Sequence, residues 1–229
     1  MNSFLQVIQN ELYTTFIVED RWKFFVNGLG VTLMISFFAI LLGLILGTLM
    51  AGAKMSKIAP LRWIANVYID VIRGTPTMVQ ILIINFIIFA PVNIDRSIVA
   101  IIAFGINSGA YVAEIIRGGI MSVNKGQTEA GRSLGLNSMQ TMVHIVMPQA
   151  IKNIMPALSN EIIVLVKETA VIGYIAKIDF TAMAMKVQSR TYSYITPLLA
   201  IAVGYYVVLK ILAWGLNAVE KQLRKSDAR

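Results

Sequence analysis

The sequence has no cysteine, a single histidine and few charges. Without cysteine there is no disulfide framework, no thiolate metal site and no thiol nucleophile. With His144 as the one imidazole, no histidine-rich metal site forms. Glycine never precedes lysine, so the Gly-x-x-x-x-Gly-Lys-Ser/Thr phosphate loop is missing. Charged residues are 14% of the chain, where soluble domains carry about 25%. What fills the space is apolar: AVILMFWYC residues make up 57%, against about 45–50% in soluble domains. A soluble fold of 229 residues has no core large enough to hide that surface, and disorder requires low hydrophobicity. The composition is that of an integral membrane protein, one domain in length.

A bilayer core about 30 Å thick needs about 20 apolar residues at 1.5 Å rise each. Phe24 to Ala53 is uncharged between Lys23 and Lys54, placing a first span at about 28–50. Ser97–Ala113, uncharged between Arg96 and Glu114, gives a span at about 97–117. Thr191–Leu209, continued past Lys210, gives another at about 195–217. Thr77–Ala90 is apolar but short, and must borrow from Leu61–Ile72 across the break Arg73-Gly74-Thr75-Pro76, for a span at about 72–90. The segment 154–175 is long enough but contains Asn160, Glu161, Lys167 and Glu168. The expected fold is thus all-α, with five transmembrane helices.

Met1–Asn10 has no basic n-region and the first apolar run is too long for a signal peptide, so that span is expected to be retained. Twelve basic residues fall on one side of a five-span topology: Lys54, Lys57, Arg62 and Arg73, then Arg117, Lys125, Arg132 and Lys152, then Lys221, Arg224, Lys225 and Arg229. Six fall on the other: Arg21, Lys23, Arg96, Lys177, Lys186 and Arg190. The positive-inside rule puts the richer side in the cytoplasm. Residues 1–26 are then an extracytoplasmic segment, 27–220 the membrane domain and 221–229 a cytoplasmic tail. The net charge of +8 reflects topology and anionic lipid, not nucleic acid.

Residues 118–152 stay in the cytoplasm for longer than a connector needs. They read as two short helices hinged at Gly135: Glu129–Leu134 ends at a glycine suited to a left-handed cap, Asn137 or Ser138 caps the second piece, and Pro148 is expected to terminate it. From the residues alone, the pair either docks a partner or packs on its own bundle.

The loop resembles the EAA motif of ABC import permeases (Glu-Ala-Ala, three residues, Gly, nine residues, Ile, one residue, Leu-Pro). Glu129-Ala130-Gly131, Gly135, Ile145 and Met147-Pro148 fall at those spacings, with Gly131 for the second alanine and Met147 for leucine. Arg73-Gly-Thr-Pro-Thr-Met-Val-Gln80, Ser108-Gly-Ala-Tyr-Val-Ala-Glu-Ile-Ile-Arg-Gly-Gly119 and Asn160-Glu-Ile-Ile-Val-Leu-Val-Lys-Glu-Thr169 look like the polar amino acid branch, the histidine, glutamine, arginine and glutamate type. The resemblance implies a type I importer permease and not an enzyme. It places ATP-Mg in a separate cytoplasmic ATPase dimer, with a second permease subunit, identical or related, and an extracytoplasmic amino-acid-binding protein as partners. It makes 118–152 a coupling loop in the bacterial cytoplasmic membrane. Glu129 is then a polar anchor beside Ala130 and Gly131, Gly135 the hinge, and Leu134 and Ile145 apolar contacts to the ATPase or to this subunit, with Pro148 closing the motif. The competing expectation is an ion-coupled secondary amino-acid transporter, though five unequal spans offer no inverted repeat.

Ionisable residues at membrane depth cost about 2.5–3.5 kcal/mol each on insertion scales. Glu161 and Glu168 share a helix face, and Asn160 and Lys167 the neighbouring one. Glu161 falls about nine residues, roughly 13 Å, above the span's start near Lys152. There its carboxylate holds either an amino acid's ammonium or a structural cation, and Lys167 faces a substrate carboxylate or snorkels outward. Asn160, Glu161 and Lys167 are therefore the substrate-pathway candidates. Glu114–Arg117 reads as a structural ion pair, as does Asp70–Arg73. Asn107, Ser108 and Gly109 line a cavity or allow close packing, and the Gly43-x-x-x-Gly47 and Ala51 stripe is packing. Trp22, Tyr192 and Tyr194 fit an aromatic belt, and 176–194 reads as an amphipathic surface helix.

Overall fold

A computed structural model describes the backbone of residues 2–224 and side chains from residue 5 onward; Lys225, Arg229 and the rest of the expected tail beyond 224 lie outside the described residues. Among the described residues every regular element is helical. In chain order they are α1 (Asn2–Leu12), α2 (Trp22–Met55), α3 (Ala59–Arg73), α4 (Thr77–Ile83), α5 (Arg96–Met121), α6 (Lys125–Ser133), α7 (Ser138–Thr141), α8 (Met147–Glu168), α9 (Phe180–Thr191) and α10 (Ile195–Arg224). Three of them, α2, α5 and α10, are long and apolar enough to cross a membrane. The 34 residues of α2 make a rod of about 50 Å, longer than the hydrocarbon layer.

The segment of the expected span at 72–90 is broken near its start. The chain is helical on both sides of Gly74-Thr75-Pro76 but bends there by 108°. The far limb, α4 continued by a π-turn over Ile84–Ile88, reaches only about 18 Å. Pro76 has no N–H to continue the α3 ladder and disfavours helical geometry at Thr75. Gln80 repairs the break: its Nε2 lies 2.7 Å from the Ile72 carbonyl, 2.7 Å from Thr75 Oγ1 and 3.0 Å from the Thr75 carbonyl. The pair counts as a fourth crossing only if both limbs are one span. The expected crossing at 154–175 becomes α8 and a tight 3-10 turn over Thr169–Ile175, and its polar residues keep it from being plainly apolar.

At the centre of the bundle α5 packs along α2 through facing small residues. A side chain at Gly47 would meet Val112 at 2.5 Å and the Gly109 carbonyl at 3.0 Å; one at Gly105 would meet Leu42 at 2.5 Å. The stripe on the first span is therefore packing within the subunit. Tyr68 on α3 reaches over Gly109 and donates to the Ile106 carbonyl at 2.5 Å. Ile35, Ala39, Ile81, Val99, Phe104, Leu165 and Ile172 form the core that α2, α4, α5 and α8 share. A second cluster, at the end away from α6–α7, joins Phe25, Phe180, Ala184, Val187 and Ile201, with the Phe180 and Tyr205 rings 5.2 Å apart. There α9 is buried along one side, so the amphipathic segment lies on α2 and α10 as well as on the surface. Asp179, fully buried, caps α9 by accepting from the Ala182 N–H at 2.9 Å; burial pushes its carboxyl up.

Candidate functional site

The segment after α5 folds as a hairpin whose turns are set by local chemistry. Asn124 Oδ1 accepts from the Gly126 N–H at 2.8 Å and starts α6. Gly135 ends it with φ +85°. The Leu136 N–H then donates to the Gly131 carbonyl (3.1 Å) and the Gly135 N–H to the Arg132 carbonyl (3.0 Å), a Schellman closure that only glycine adopts without strain. Asn137, not Ser138, caps α7, exchanging two 2.9 Å bonds with Gln140 in a capping box.

The limbs close on Gly131, where a Cβ would meet Ile145 Cδ1 at 2.7 Å and Thr141 Cγ2 at 3.0 Å. Glycine in place of alanine thus brings the limbs together. Ile145 turns inward, whereas Leu134 and Met139 stand 80% and 71% exposed, with Glu129 and Ala130 also on the surface.

The expected stop at Pro148 is corrected: α7 runs into α8 without interruption. A π-turn over Met142–Val146, in which the Met147 N–H bonds the Met142 carbonyl, widens the register just before the proline. Pro148 then sits in the first turn of α8, where its missing N–H is harmless.

About a helix length away, polar side chains meet between α4, α5 and α8. Ser108 Oγ donates to Glu161 Oε1 at 2.9 Å. Asn107 Nδ2 donates to Gln80 Oε1 at 2.8 Å, joining this cluster to the repaired break. Asn107 Nδ2 also lies 3.4 Å from Thr77 Oγ1. Asn107, Ser108 and Gln80 are buried, Glu161 and Glu168 half-buried. Among the described residues no lysine or arginine forms an ion pair with Glu161 or Glu168. Asn160 and Lys167 are exposed and are not brought into the cluster.

Glu114 is the opposite case. Its carboxylate lies 2.9 Å from Arg117, as expected, and also 2.7 Å from Lys54 and 3.9 Å from Arg73. Arg73 therefore pairs with Glu114 rather than with Asp70, its guanidinium 5.3 Å above the Tyr111 ring.

Thr77 and Gln80 were given no role from sequence, although Gln80 and Asn85 are the two amides in an otherwise apolar run. Nothing local signalled that Lys54 and Arg73 converge on Glu114.

The profile of the family described as "Binding-protein-dependent transport system inner membrane component" matches residues 39–225. The chain is 40% identical over 202 residues (87% of this chain, 93% of the relative) to a putative glutamine transport system permease protein of Rickettsia typhi. It is also 40% identical over 206 residues (89% and 94%) to the arginine transport system permease protein of Bacillus subtilis. A crystal structure of an amino acid ABC transporter with histidines superposes with a TM-score of 0.84 at 43% identity, covering 90% of this chain and 96% of that one. The methionine transporter MetNI, in an inward-facing form, shares the fold at TM-score 0.72 and 18% identity, over 87% and 96%. An all-helical bundle with a structured hairpin after its central span, matched over nearly its whole length, belongs to the family of binding-protein-dependent transport system inner membrane components, the permease subunits of ATP-driven importers.

Proposed function

We propose that this chain moves a polar amino acid across the bacterial cytoplasmic membrane, with its N-terminus outside and its C-terminus in the cytoplasm. The relatives named for glutamine, arginine and histidine support an amino acid as cargo. The observation that carries the reading is the hairpin, capped at both helix starts and closed at Gly135, which leaves Leu134 and Met139 free to enter a groove. A cytoplasmic ATPase dimer holding ATP-Mg grips this hairpin through Glu129, Ala130 and Leu134. Gly131, Gly135, Ile145 and Pro148 hold its shape. A second permease subunit, identical or related, completes the pathway, and an extracytoplasmic binding protein delivers substrate on the α9 side.

Within the membrane Glu161 receives the cationic group of the solute. Asn160 and Lys167 line the pathway where the second permease subunit closes it. Rocking of the bundle, driven through the hairpin, alternates access to that site. Family membership sets aside the ion-coupled alternative.

The test is assembly with the importer's ATPase and ATP-driven uptake in vesicles supplied with the binding protein. Gly135→Val forces a β-branched residue to φ +85°, a strain of about 1–2 kcal/mol, and is expected to weaken ATPase binding and uptake together. Unchanged assembly and uptake in that variant, or uptake abolished by an uncoupler but not by vanadate, refutes the reading.

A further inference from the structure

Glu114 draws together three cations from three helices. Lys54 stands in the last turn of α2, Arg73 ends α3 at the bend, and Arg117 sits on α5 itself, one turn before the hairpin begins. The carboxylate side chain is only 17% exposed, so these contacts are poorly screened. Arg117 is an i,i+3 neighbour with Nε and Nη2 both on the carboxylate, at 3.3 and 2.9 Å, and fixes the Glu114 rotamer. Lys54 at 2.7 Å and Arg73 at 3.9 Å are the contacts between helices. Arg73 is held to α5 twice, by Glu114 and by stacking on Tyr111.

Immediately beyond Arg73 the chain turns 108° into α4. From there Gln80 and Thr77 both meet Asn107, at 2.8 and 3.4 Å, beside Ser108 and its bond to Glu161. A displacement of the hairpin end of α5 therefore pulls on Arg73, swings the bent pair about Gly74-Thr75-Pro76, and shifts Thr77 and Gln80 against the cluster around Glu161.

We propose that Glu114 is a positioning residue of transport: through Arg73 and Lys54 it passes motion of the hairpin to the broken helix that flanks the intramembrane polar cluster. This rests on the permease reading above.

The experiment uses the complete importer, with its ATPase and binding protein, in proteoliposomes, and reads solute imported per ATP hydrolysed. In Glu114→Gln hydrolysis continues while that ratio falls about tenfold, within the usual range of coupling between sites. Glu114→Asp keeps part of it. Arg73→Gln lowers it too, whereas Arg117→Gln, on the same helix as Glu114, lowers it less.

A ratio unchanged in Glu114→Gln, or hydrolysis and uptake falling in parallel at constant ratio, overturns the proposal and leaves Glu114 a stabilising group alone. Should Glu114→Gln fail to assemble, Arg73→Gln, whose side chain is 43% exposed, decides in the same terms. A wild-type complex that neither hydrolyses ATP nor imports solute refutes the permease reading instead.

Discussion

Glu114 and Glu161 lie on adjoining helices of one bundle, yet their surroundings differ in kind. Three cations from α2, α3 and α5 surround Glu114. Glu161 has a single serine hydroxyl. Burying a carboxylate at membrane depth is costly unless something offsets it. Around Glu114 the offset is built into the chain, and the residue ties helix ends together. Around Glu161 it is missing from the described residues. On the function proposed above, the ammonium or basic side chain of the solute supplies it. One bundle thus holds a closed ionic contact toward the hairpin and an open one between its helices.

The largest effect that sharpens this contrast is expected from Glu161→Gln. Amide replaces carboxylate at nearly constant size and keeps an acceptor for Ser108, so the complex assembles. The charge-assisted bond to the solute is lost, at about 1.5–3 kcal/mol, a roughly tenfold to hundredfold rise in the solute concentration giving half-maximal uptake. If the carboxylate served only the fold, uptake would stay at the wild-type level while thermal stability fell.

A smaller effect tests whether both environments depend on one packing register. Gly47 lies against Val112 and the Gly109 backbone, between the positions that hold Ser108 and Glu114 on α5. Gly47→Leu separates α2 from α5, stretching the Lys54–Glu114 contact and moving Ser108 away from Gly43. Overpacking of this sort costs about 1–3 kcal/mol. It should appear as a lowered unfolding temperature of the purified subunit complex, with Gly52→Leu, a position with nothing within 4 Å, as the unaffected control.

What sequence disclosed and what it withheld follow the same division. The hairpin is written in neighbours: Gly135 and Asn137 were legible as local signals, whereas Asn124 and Gln140, equally local, went unread, so α6 starts four residues before the expected Glu129. The three plainly apolar spans are equally local. The proline at 148 misled because its usual effect assumes a regular α-helix upstream, and the π-turn over Met142–Val146 removes that premise. The break at Gly74-Thr75-Pro76 was visible, but the 108° angle was not, because Gln80 folds back onto Ile72 and Thr75 only once the limbs are placed. The polar cluster was half legible: Glu161 stood out by its charge in an apolar run, whereas Ser108 lies 53 residues away in sequence. Lys54 and Arg73 had no visible tie to Glu114, since ion pairs between helices leave no periodicity. Arg117, three residues from Glu114, was the one partner that spacing could supply.

At the other end of the bundle Asp95 offers the mild counterpart of Glu114. It too is compensated. Its side chain accepts from the Ser97 N–H at 2.7 Å, capping α5, and meets Lys177 at 3.3 Å. Those hydrogen bonds, Ser97 first, hold its carboxyl below its ordinary value, down to about 2. A depressed carboxyl stabilises the fold while ionised, so its contribution is complete above the ordinary carboxylate range. That contribution fades as acid carries the pH down toward about 2. Asp95→Asn should therefore lower the unfolding temperature slightly near neutral pH, and the gap between variant and wild type should narrow below about pH 4. The effect is small because the side chain is 60% exposed, and water and salt screen its pair with Lys177. A gap near zero at every pH would mean that the cap, rather than the charge, holds the start of α5. The distinction between charge compensation and plain hydrogen bonding would then have to be redrawn for Glu114 as well.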